Sequence, residues 1–238
     1  MDGPGHAGRA EGHGQGMTGS FITFEGPEGG GKSTQVALLA QRLMDAGYEV
    51  VQAREPGGTR VGEQIRHLLQ HDSAGEGMCP AAETLLFEAS RAQLVHEVIA
   101  PALARGAVVL CDRFADSTTA YQGYGRGFDP DVLAGLHAFA LGDCWPALTL
   151  LLWIPALAGL ERIALRTRTK GEPLDRMERE DAAFHERVAG GYQALADRYP
   201  ERIRCIDASG SVDEVHARVW DAVQVVLGAG RDGRASCR

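Results

Sequence analysis

Apolar residues follow two periodicities along the chain, and segments of the two kinds alternate. Short, nearly uninterrupted apolar runs predict strands that are buried on both faces. These runs are Phe21–Glu25, Tyr48–Ala53, Ala107–Cys111, Leu148–Ile154 and Ile203–Asp207. Since strands that alternate with helices form parallel sheets with helices on both faces, the pattern predicts an α/β fold of three layers around a central parallel sheet of about five strands.

Longer segments with apolar positions at helical spacing lie between the strands. The predicted helices are Lys32–Ala46, a helix near Val61–Leu69, Ala81–Arg105, Pro130–Ala140, Ala156–Thr167, Arg179–Tyr199 and Val212–Val226. Pro101 is expected to kink the third of them, because proline cannot donate a helical hydrogen bond. Two polar stretches predict loops, one over Asp72–Pro80 and a basic one over Arg168–Pro173.

The chain predicts one domain over residues 17–227, because no internal repeat and no linker divides it. Residues 1–16 hold six glycines and no apolar periodicity, which predicts a disordered extension. Residues 228–238 are rich in glycine and arginine, and we expect a frayed tail there.

Composition narrows the possible functions. The formal net charge of −8 argues against a protein that binds nucleic acid non-specifically, because phosphate backbones require a basic surface. No apolar run approaches the length of a membrane span. The five cysteines, at positions 79, 111, 144, 205 and 237, form no CxxC pair, which indicates a reducing, cytoplasmic location.

A glycine-rich stretch, GPEGGGKST, stands between the first predicted strand and the first predicted helix. It matches G-x-x-x-x-G-K-[ST] in the context that a phosphate-binding P-loop requires. Its backbone N–H groups and the helix N-terminus are suited to hold phosphates, with Lys32 reaching the β- and γ-phosphates. The predicted ATP-binding residues are Gly26, Pro27, Glu28, Gly29, Gly30, Gly31, Lys32, Ser33 and Thr34.

Asp112 follows directly after the buried run that ends at Cys111. A carboxylate at the end of a strand beside a P-loop is the usual partner of the P-loop hydroxyl at a magnesium ion. We therefore expect Ser33 and Asp112 to hold Mg²⁺, with Lys32 and Asp112 as catalytic residues.

Separate arginines in an acidic chain point to a second anionic substrate, gripped by guanidinium groups. Arg54, Arg91 and Arg113 stand in or beside the predicted phosphate-loop elements, and Arg166 and Arg168 lie further along. A switch GTPase would need a guanine-reading NKxD, and the chain has none.

Four segments after the P-loop carry a family resemblance: REPGGT at 54–59, LLFEASRAQL at 85–94, DRFADSTTAYQG at 112–123 and LDRME at 174–178. With the P-loop and in this order they resemble bacterial thymidylate kinases, enzymes of the P-loop kinase fold that transfer the γ-phosphoryl group of ATP to dTMP. The resemblance implies the products dTDP and ADP, a role in dTTP biosynthesis, Mg²⁺ as cofactor and a homodimer.

The resemblance also implies roles for the acceptor residues. Glu28 would face the 3′-hydroxyl of dTMP, Phe87 would stack on thymine, and Arg91 would donate to thymine O4. Arg54 and Arg113 would grip the acceptor phosphate, and Tyr121 would pack against the deoxyribose. Ser117, Thr118 and Gln122 line the same segment, and which of them touches the base stays open. Without the resemblance, Phe87 would most simply be a core residue.

The segment 165–171 supplies Arg166, Arg168 and Lys170, which predict a mobile basic lid near 166–173. Some members of the family carry a basic residue in the P-loop where this chain has Gly29, so we expect the lid to supply the missing charge. Which of Arg166 and Arg168 reaches the γ-phosphate stays open, and a solvated basic loop is the alternative.

Several positions depart from the family pattern or suggest a different site. Trp153 and Ala147 stand where acids are common, with expected effects on packing or lid hinging. His67 and His71 have the spacing of a metal pair but no evident third ligand, so exposed helix-end histidines are the favoured interpretation.

Two other functions stay open at this point. One is a kinase for another pyrimidine nucleotide or nucleoside. The other is an ATP-dependent regulator or motor without a small acceptor.

Overall fold

The computed structural model describes residues 19–171 and 173–232, except for the side chains at 156, 170 and 228–232. Five strands form one sheet in the order β2-β3-β1-β4-β5, and every neighbouring pair is parallel. The strands are β1 (Ser20–Glu25), β2 (Val50–Arg54), β3 (Val108–Asp112), β4 (Leu148–Trp153) and β5 (Ile203–Asp207). The predicted central parallel sheet is confirmed, and each predicted strand differs from the observed one by no more than a few terminal residues.

Nine α-helices surround the sheet in the described residues. They are α1 (Lys32–Asp45), α2 (Arg60–Gln70), α3 (Pro80–Leu94), α4 (Ala100–Ala104), α5 (Ala115–Thr118), α6 (Pro130–Leu141), α7 (Ala156–Lys170), α8 (Ala182–Arg198) and α9 (Val212–Asp232). Short 3₁₀ and π-helical turns cover Ser73–Gly75, Val95–Ile99 and Thr119–Gly125.

Alternate side chains of the strands pack on opposite faces of the sheet, as the pleat of a strand requires. Ile22 and Phe24 of β1 join α1 and α9 in one apolar cluster, whereas Phe21 joins α3, α4 and α6 in another. A third cluster lies under α8 and includes Tyr121 and Tyr192. The predicted three layers are therefore present, and both faces of the inner strands are buried.

The third predicted helix is not continuous. Its α-helical hydrogen bonding ends at Leu94, a π-helical turn follows over Val95–Ile99, and α4 begins at Ala100. The N–H of Ala100 donates to Val95, a five-residue step that is typical of a π turn. Pro101 directly follows, and because it has no N–H the chain changes its hydrogen-bond register before it. The discontinuity thus lies one turn ahead of the predicted kink.

Two predicted boundaries in the basic and C-terminal segments need revision. Helix α7 continues to Lys170, so the predicted break at Arg168 is wrong, and Gly171 ends the helix with φ 70°. Arginine, threonine and lysine are tolerated in a helix, and the left-handed glycine is the actual stop signal.

Helix α9 runs to Asp232, past the predicted start of the tail at 228. The predicted extension at 1–16 and the residues after 232 lie outside the described residues.

Candidate nucleotide-binding cleft

The P-loop connects β1 to α1, which confirms its predicted strand–loop–helix context. Gly26, Gly29 and Gly31 have φ values of 131°, 73° and 83°, in the region that side chains disfavour. Lys32 is 7% exposed, and its Nζ donates to the carbonyls of Gly26 and Pro27 at 3.0 and 2.8 Å. Burial and the nearby Arg113 lower the pKa of Lys32 to about 8. The amine is thus held inside the loop at the point where a phosphate would lie.

Ser33 and Asp112 meet as predicted. The Ser33 hydroxyl donates to Oδ2 of Asp112, and both residues line the same cleft of about 530 Å³. Asp112 reaches this place because β3 lies beside β1 in the sheet and ends at the same edge. A hydroxyl and a carboxylate oxygen are donors that Mg²⁺ prefers, so this pair fits the predicted metal site.

A second cavity adjoins the P-loop cleft. The two share Glu28, Glu55, Gln70, Arg113 and Asp175 in their walls. All the residues that the resemblance assigned to the acceptor base or sugar line the second cavity: Glu28, Phe87, Arg91, Ser117, Thr118, Tyr121 and Gln122. Arg113, assigned to the acceptor phosphate, lines it as well. The structure therefore brings these residues together beside the P-loop.

Arg113 and Glu28 form the junction of the two cavities. Nη2 of Arg113 donates to Glu28 Oε1 at 2.5 Å, and the Tyr121 hydroxyl donates to the same oxygen at 2.8 Å. Although burial opposes ionisation, Arg113 and Lys32 lower the pKa of Glu28 to about 2. Arg113 has φ 68°, a left-handed conformation that costs energy for a residue with a side chain. The ion pair is thus a fixed, charged feature between the two cavities.

Arg54 also lines the P-loop cleft and differs from Arg113 in its surroundings. Its guanidinium is half-exposed and makes two hydrogen bonds to Glu63, at 2.9 and 2.8 Å. It lines the P-loop cleft but not the second cavity among the described residues. The predicted phosphate-gripping pair therefore combines a half-exposed arginine with one that is only 16% exposed.

The polar residues assigned to the acceptor base already form hydrogen bonds within the protein, which the sequence did not predict. Arg91 is only 1% exposed and donates to Glu55, Glu88, Phe114 and Thr118. Gln122 uses its amide nitrogen on Glu83 at 2.8 Å. Phe87 is half-buried in the wall of the second cavity, where an aromatic face can meet a ligand.

Glu25 is a residue of this site that the sequence reasoning missed. It is fully buried at the end of β1 and accepts hydrogen bonds from the N–H of Phe114, the Ser117 hydroxyl and the Tyr192 hydroxyl. Burial and nearby Asp116 raise its pKa to about 7. An acid that ends an apolar strand directly before a P-loop is the signal that could have identified it.

Three arginines of α7 occupy different positions relative to the cleft. Arg162, which the sequence reasoning missed, lines the cleft and donates to the carbonyls of Gly29 and Ala208 at 3.3 and 3.2 Å. Arg166 also lines the cleft and is paired with Glu178 at 2.6 Å. Arg168 is exposed and is not among the described residues that line the cleft. Residues four apart share a helix face and residues two apart do not, which explains the difference.

Helix α7 packs directly on the P-loop through two glycines. A Cβ at Gly29 would lie 2.4 Å from the carbonyl oxygen of Gly159, and a Cβ at Gly159 would lie 2.2 Å from that of Glu28. Neither distance is sterically possible. Position 29 therefore cannot carry a basic side chain in this structure, and positive charge at this place has to come from α7.

The other residues that depart from the family pattern make packing or backbone contacts and have no evident chemical role. Trp153 ends β4 and packs against the apolar cluster under α8, and the N–H of Ala147 donates to Phe21. His67 and His71 are exposed, with ring centroids 6.3 Å apart. Across the described residues, no group of three or more histidine, cysteine or acidic side chains could hold a metal ion.

Comparisons with known proteins agree on one family. A family model described as thymidylate kinase matches residues 24–219. A thymidylate kinase of Thermomicrobium roseum is 51% identical, over 89% of this chain and 97% of the relative. One from Synechococcus sp. is 52% identical, over 86% and 95%. The crystal structure of the Ehrlichia chaffeensis thymidylate kinase superposes with a TM-score of 0.69 at 34% identity, covering 87% of this chain and 98% of that one.

These matches extend over nearly the whole described structure, including the P-loop, the second cavity and α7. The family model also matches more than half of the chain. The chain belongs to the thymidylate kinase family.

Proposed function

We propose that the protein transfers the γ-phosphoryl group of ATP to dTMP, producing dTDP and ADP for dTTP biosynthesis. The observation that carries the proposal is the pair of adjoining cavities with the Glu28–Arg113 ion pair at their junction. One cavity contains the P-loop, and the other contains an aromatic ring and side chains suited to a pyrimidine. This arrangement places the reacting ends of two nucleotides next to each other.

ATP binds in the P-loop cleft. Backbone N–H groups of residues 26–34 surround its phosphates, and Lys32 neutralises the β- and γ-phosphate oxygens. Ser33 and Asp112 are the residues that would hold Mg²⁺, which when bound neutralises charge on the phosphates.

The acceptor phosphate lies between Arg54 and Arg113, whose guanidinium groups hold it in line with the donor. No general base is required, because the attacking phosphate oxygen is already ionised at neutral pH. The task of these residues is to position and to stabilise charge.

The acceptor nucleoside occupies the second cavity. Phe87 stacks on thymine, with Arg91 at its carbonyl edge and Ser117, Thr118 or Gln122 as further polar contacts. Tyr121 packs against the deoxyribose at the 2′ position. Glu28 faces the 3′-hydroxyl, where a carboxylate accepts a hydrogen bond and repels a 3′-phosphate.

The lid charge comes from the cleft-facing side of α7. Arg162 and Arg166 line the cleft, whereas Arg168 lies on another face of the helix. We therefore assign the catalytic lid role to Arg166, with Arg162 beside it, in place of the open choice between Arg166 and Arg168.

An assay of ADP release tests the proposed function. The chain is mixed with ATP and Mg²⁺ and supplied in turn with dTMP, dUMP, dCMP and thymidine. We expect the highest kcat/KM with dTMP. A preference for dCMP or thymidine would overturn the acceptor assignment, and ATP hydrolysis independent of any acceptor would favour a regulator or motor.

We also propose that the protein is a cytoplasmic homodimer. The structure supports a pairing surface on α3 and α6, where Leu85, Val132 and Phe139 are 55%, 55% and 90% exposed. The cysteines in the described residues are free thiols, which suits a reducing compartment. No described helix is long and apolar enough to cross a membrane. Sedimentation of the wild type and of Phe139→Asp tests the assembly, because a charge at this position should separate the protomers.

A further inference from the structure

Arg91 is a fully buried cation whose hydrogen-bonding capacity is almost completely used. Nε donates to Glu55 Oε2 at 2.8 Å, and Nη1 donates to Glu88 Oε1 at 2.5 Å. Nη2 donates to the Phe114 carbonyl at 3.2 Å and to the Thr118 hydroxyl at 2.9 Å. A guanidinium carries five N–H bonds, so one N–H on Nη1 has no acceptor among the described residues. Since Arg91 lines the second cavity, this N–H is the donor available to a base.

The carboxylate on Nη1 therefore holds the side of the guanidinium that carries the free N–H. Glu88 is 5% exposed and lies one helical turn before Arg91 on α3. A guanidinium is planar, so fixing one of the two Nη1 hydrogens on Glu88 also fixes the direction of the other. Glu55 on Nε and the two acceptors on Nη2 hold the other sides of the same plane, so Glu88 is the partner that anchors the Nη1 side.

The pKa values of the two carboxyl groups shift in opposite directions. Burial raises the pKa of Glu55 to about 8. In Glu88, burial is outweighed by Arg91 and His137, and the pKa is lowered. Glu88 is therefore the ionised partner of Arg91 at neutral pH, and a buried cation depends on such a partner.

His137 contacts the same carboxylate oxygen of Glu88 that accepts from Arg91. It is 4% exposed on α6, and its Nδ1 lies 3.0 Å from Glu88 Oε1, although the ring is not aligned for a full hydrogen bond. Its Nε2 lies 3.0 Å from the Thr119 hydroxyl, which holds the ring from the other side. Neither Glu88 nor His137 lines the second cavity among the described residues.

We propose that Glu88 is a positioning residue for recognition of the acceptor base, and that His137 supports it by restricting its carboxylate. The proposal rests on the proposed function and extends it to two residues that do not touch the substrate. Glu88 aligns the free N–H of Arg91 with a carbonyl on the pyrimidine. A base that presents an amino group at this edge, as cytosine does, meets a donor facing a donor and is disfavoured.

Kinetic measurements on Glu88→Ala and Glu88→Gln test this. The alanine variant frees the Nη1 group, so we expect KM for dTMP to rise about tenfold while KM for ATP changes less than twofold. The ratio of kcat/KM for dTMP to that for dCMP should fall by about the same factor. Glutamine retains an acceptor at the same place, so Glu88→Gln should recover most of the discrimination.

The variants His137→Leu and His137→Gln test whether His137 restricts the carboxylate of Glu88. Leucine removes both polar contacts, and we expect KM for dTMP to rise about threefold, whereas glutamine should restore it. Arg202→Gln is the control, because it breaks a buried ion pair with Asp116 that has no contact with Arg91. It should lower the unfolding midpoint without changing the dTMP-to-dCMP ratio.

The outcomes separate the two proposals. A wild type that does not phosphorylate dTMP contradicts the proposed function itself. If the wild type is active, equal rises in KM for ATP and dTMP in Glu88→Ala would show a merely structural role. An unchanged discrimination ratio in a folded His137→Leu would overturn the role of His137. If Glu88→Ala does not fold, Glu88→Asp decides for Glu88, because its shorter side chain withdraws the acceptor from Nη1, and an unchanged ratio there would overturn the role of Glu88.

Discussion

The phosphate site of the donor half is built mainly on one continuous segment of nine residues, whereas the acceptor half is assembled from side chains that are far apart in the sequence. In the donor half, backbone groups of residues 26–34 and one lysine surround the phosphate site. In the acceptor half, Arg113 is paired with a residue 85 positions away, and Arg91 with one 36 positions away.

This difference affects how each half responds to substitution. A loop that functions through its backbone tolerates most side-chain changes. The exceptions are changes that add a side chain where there is no room for one and changes that remove the lysine. A network of buried ion pairs fails when one partner is removed, because the other charge stays buried without compensation. The two halves should therefore be separable by mutation, with Arg113 as their common point.

The largest expected effect is in the donor half. Lys32→Met removes the charge from the γ-phosphate, and we expect kcat to fall about 10³-fold, in the range measured for other transition-state donors. The dissociation constant for dTMP, measured by calorimetry without ATP, should stay within threefold of the wild type. A comparable loss of dTMP affinity would show that the halves are not separable.

Next come the arginines of α7. Arg166→Ala should lower kcat about 10²-fold, because Arg166 lines the cleft, and Arg168→Ala should change kcat less than twofold. Steady-state kinetics with saturating ATP and dTMP compare the two. The reverse order of effects would contradict the assignment and would mean that α7 rearranges when ATP binds.

The glycine contact between α7 and the P-loop should have an intermediate effect. Gly159→Ala places a Cβ against the Glu28 carbonyl, so we expect KM for ATP to rise about tenfold and the unfolding midpoint to fall. Gly190→Ala in α8 is the matched control, because a Cβ there has no other atom within 4 Å. It should leave KM unchanged and slightly raise stability. Equal behaviour of the two variants would disprove the close contact.

The last expected effect is on stability, because the unfolding free energy should change with pH through the titration of Glu25. Its pKa is raised from 4.5 to about 7 in the folded protein, so the folded state holds a proton that the unfolded state releases. The corresponding stability is complete below pH 4.5 and is lost as the pH rises to about 7. We expect Glu25→Gln to reduce the fall in unfolding free energy between pH 5 and 8 by about 2 to 3 kcal/mol, measured by urea unfolding. An unchanged slope would show that Glu25 stays ionised.

The sequence was sufficient for the sheet and the P-loop, because local periodicity and fixed spacing encode them. The grouping of the acceptor residues came from the family resemblance. The sequence did not predict which residues form the buried ion pairs. Glu88 and His137 lie 49 positions apart on different helices, and only packing of α3 on α6 brings them together.

Helix α7 illustrates the same limit. Its composition suggested a loop from Arg168, whereas the helix continues until Gly171 can adopt a left-handed conformation. That extension keeps Arg168 in the helix, on a different face from Arg162 and Arg166. Arg162 was missed for another reason, since its role depends on the packing of Gly159 against Gly29.

A crystal structure with ADP and dTMP bound together tests the central claim most directly. We expect the adenine nucleotide phosphates in the P-loop, the thymine ring on Phe87 beside Arg91, and the dTMP phosphate at Arg113. A thymine ring bound outside the cavity of Phe87 and Arg91, or a dTMP phosphate away from Arg113, would contradict the account.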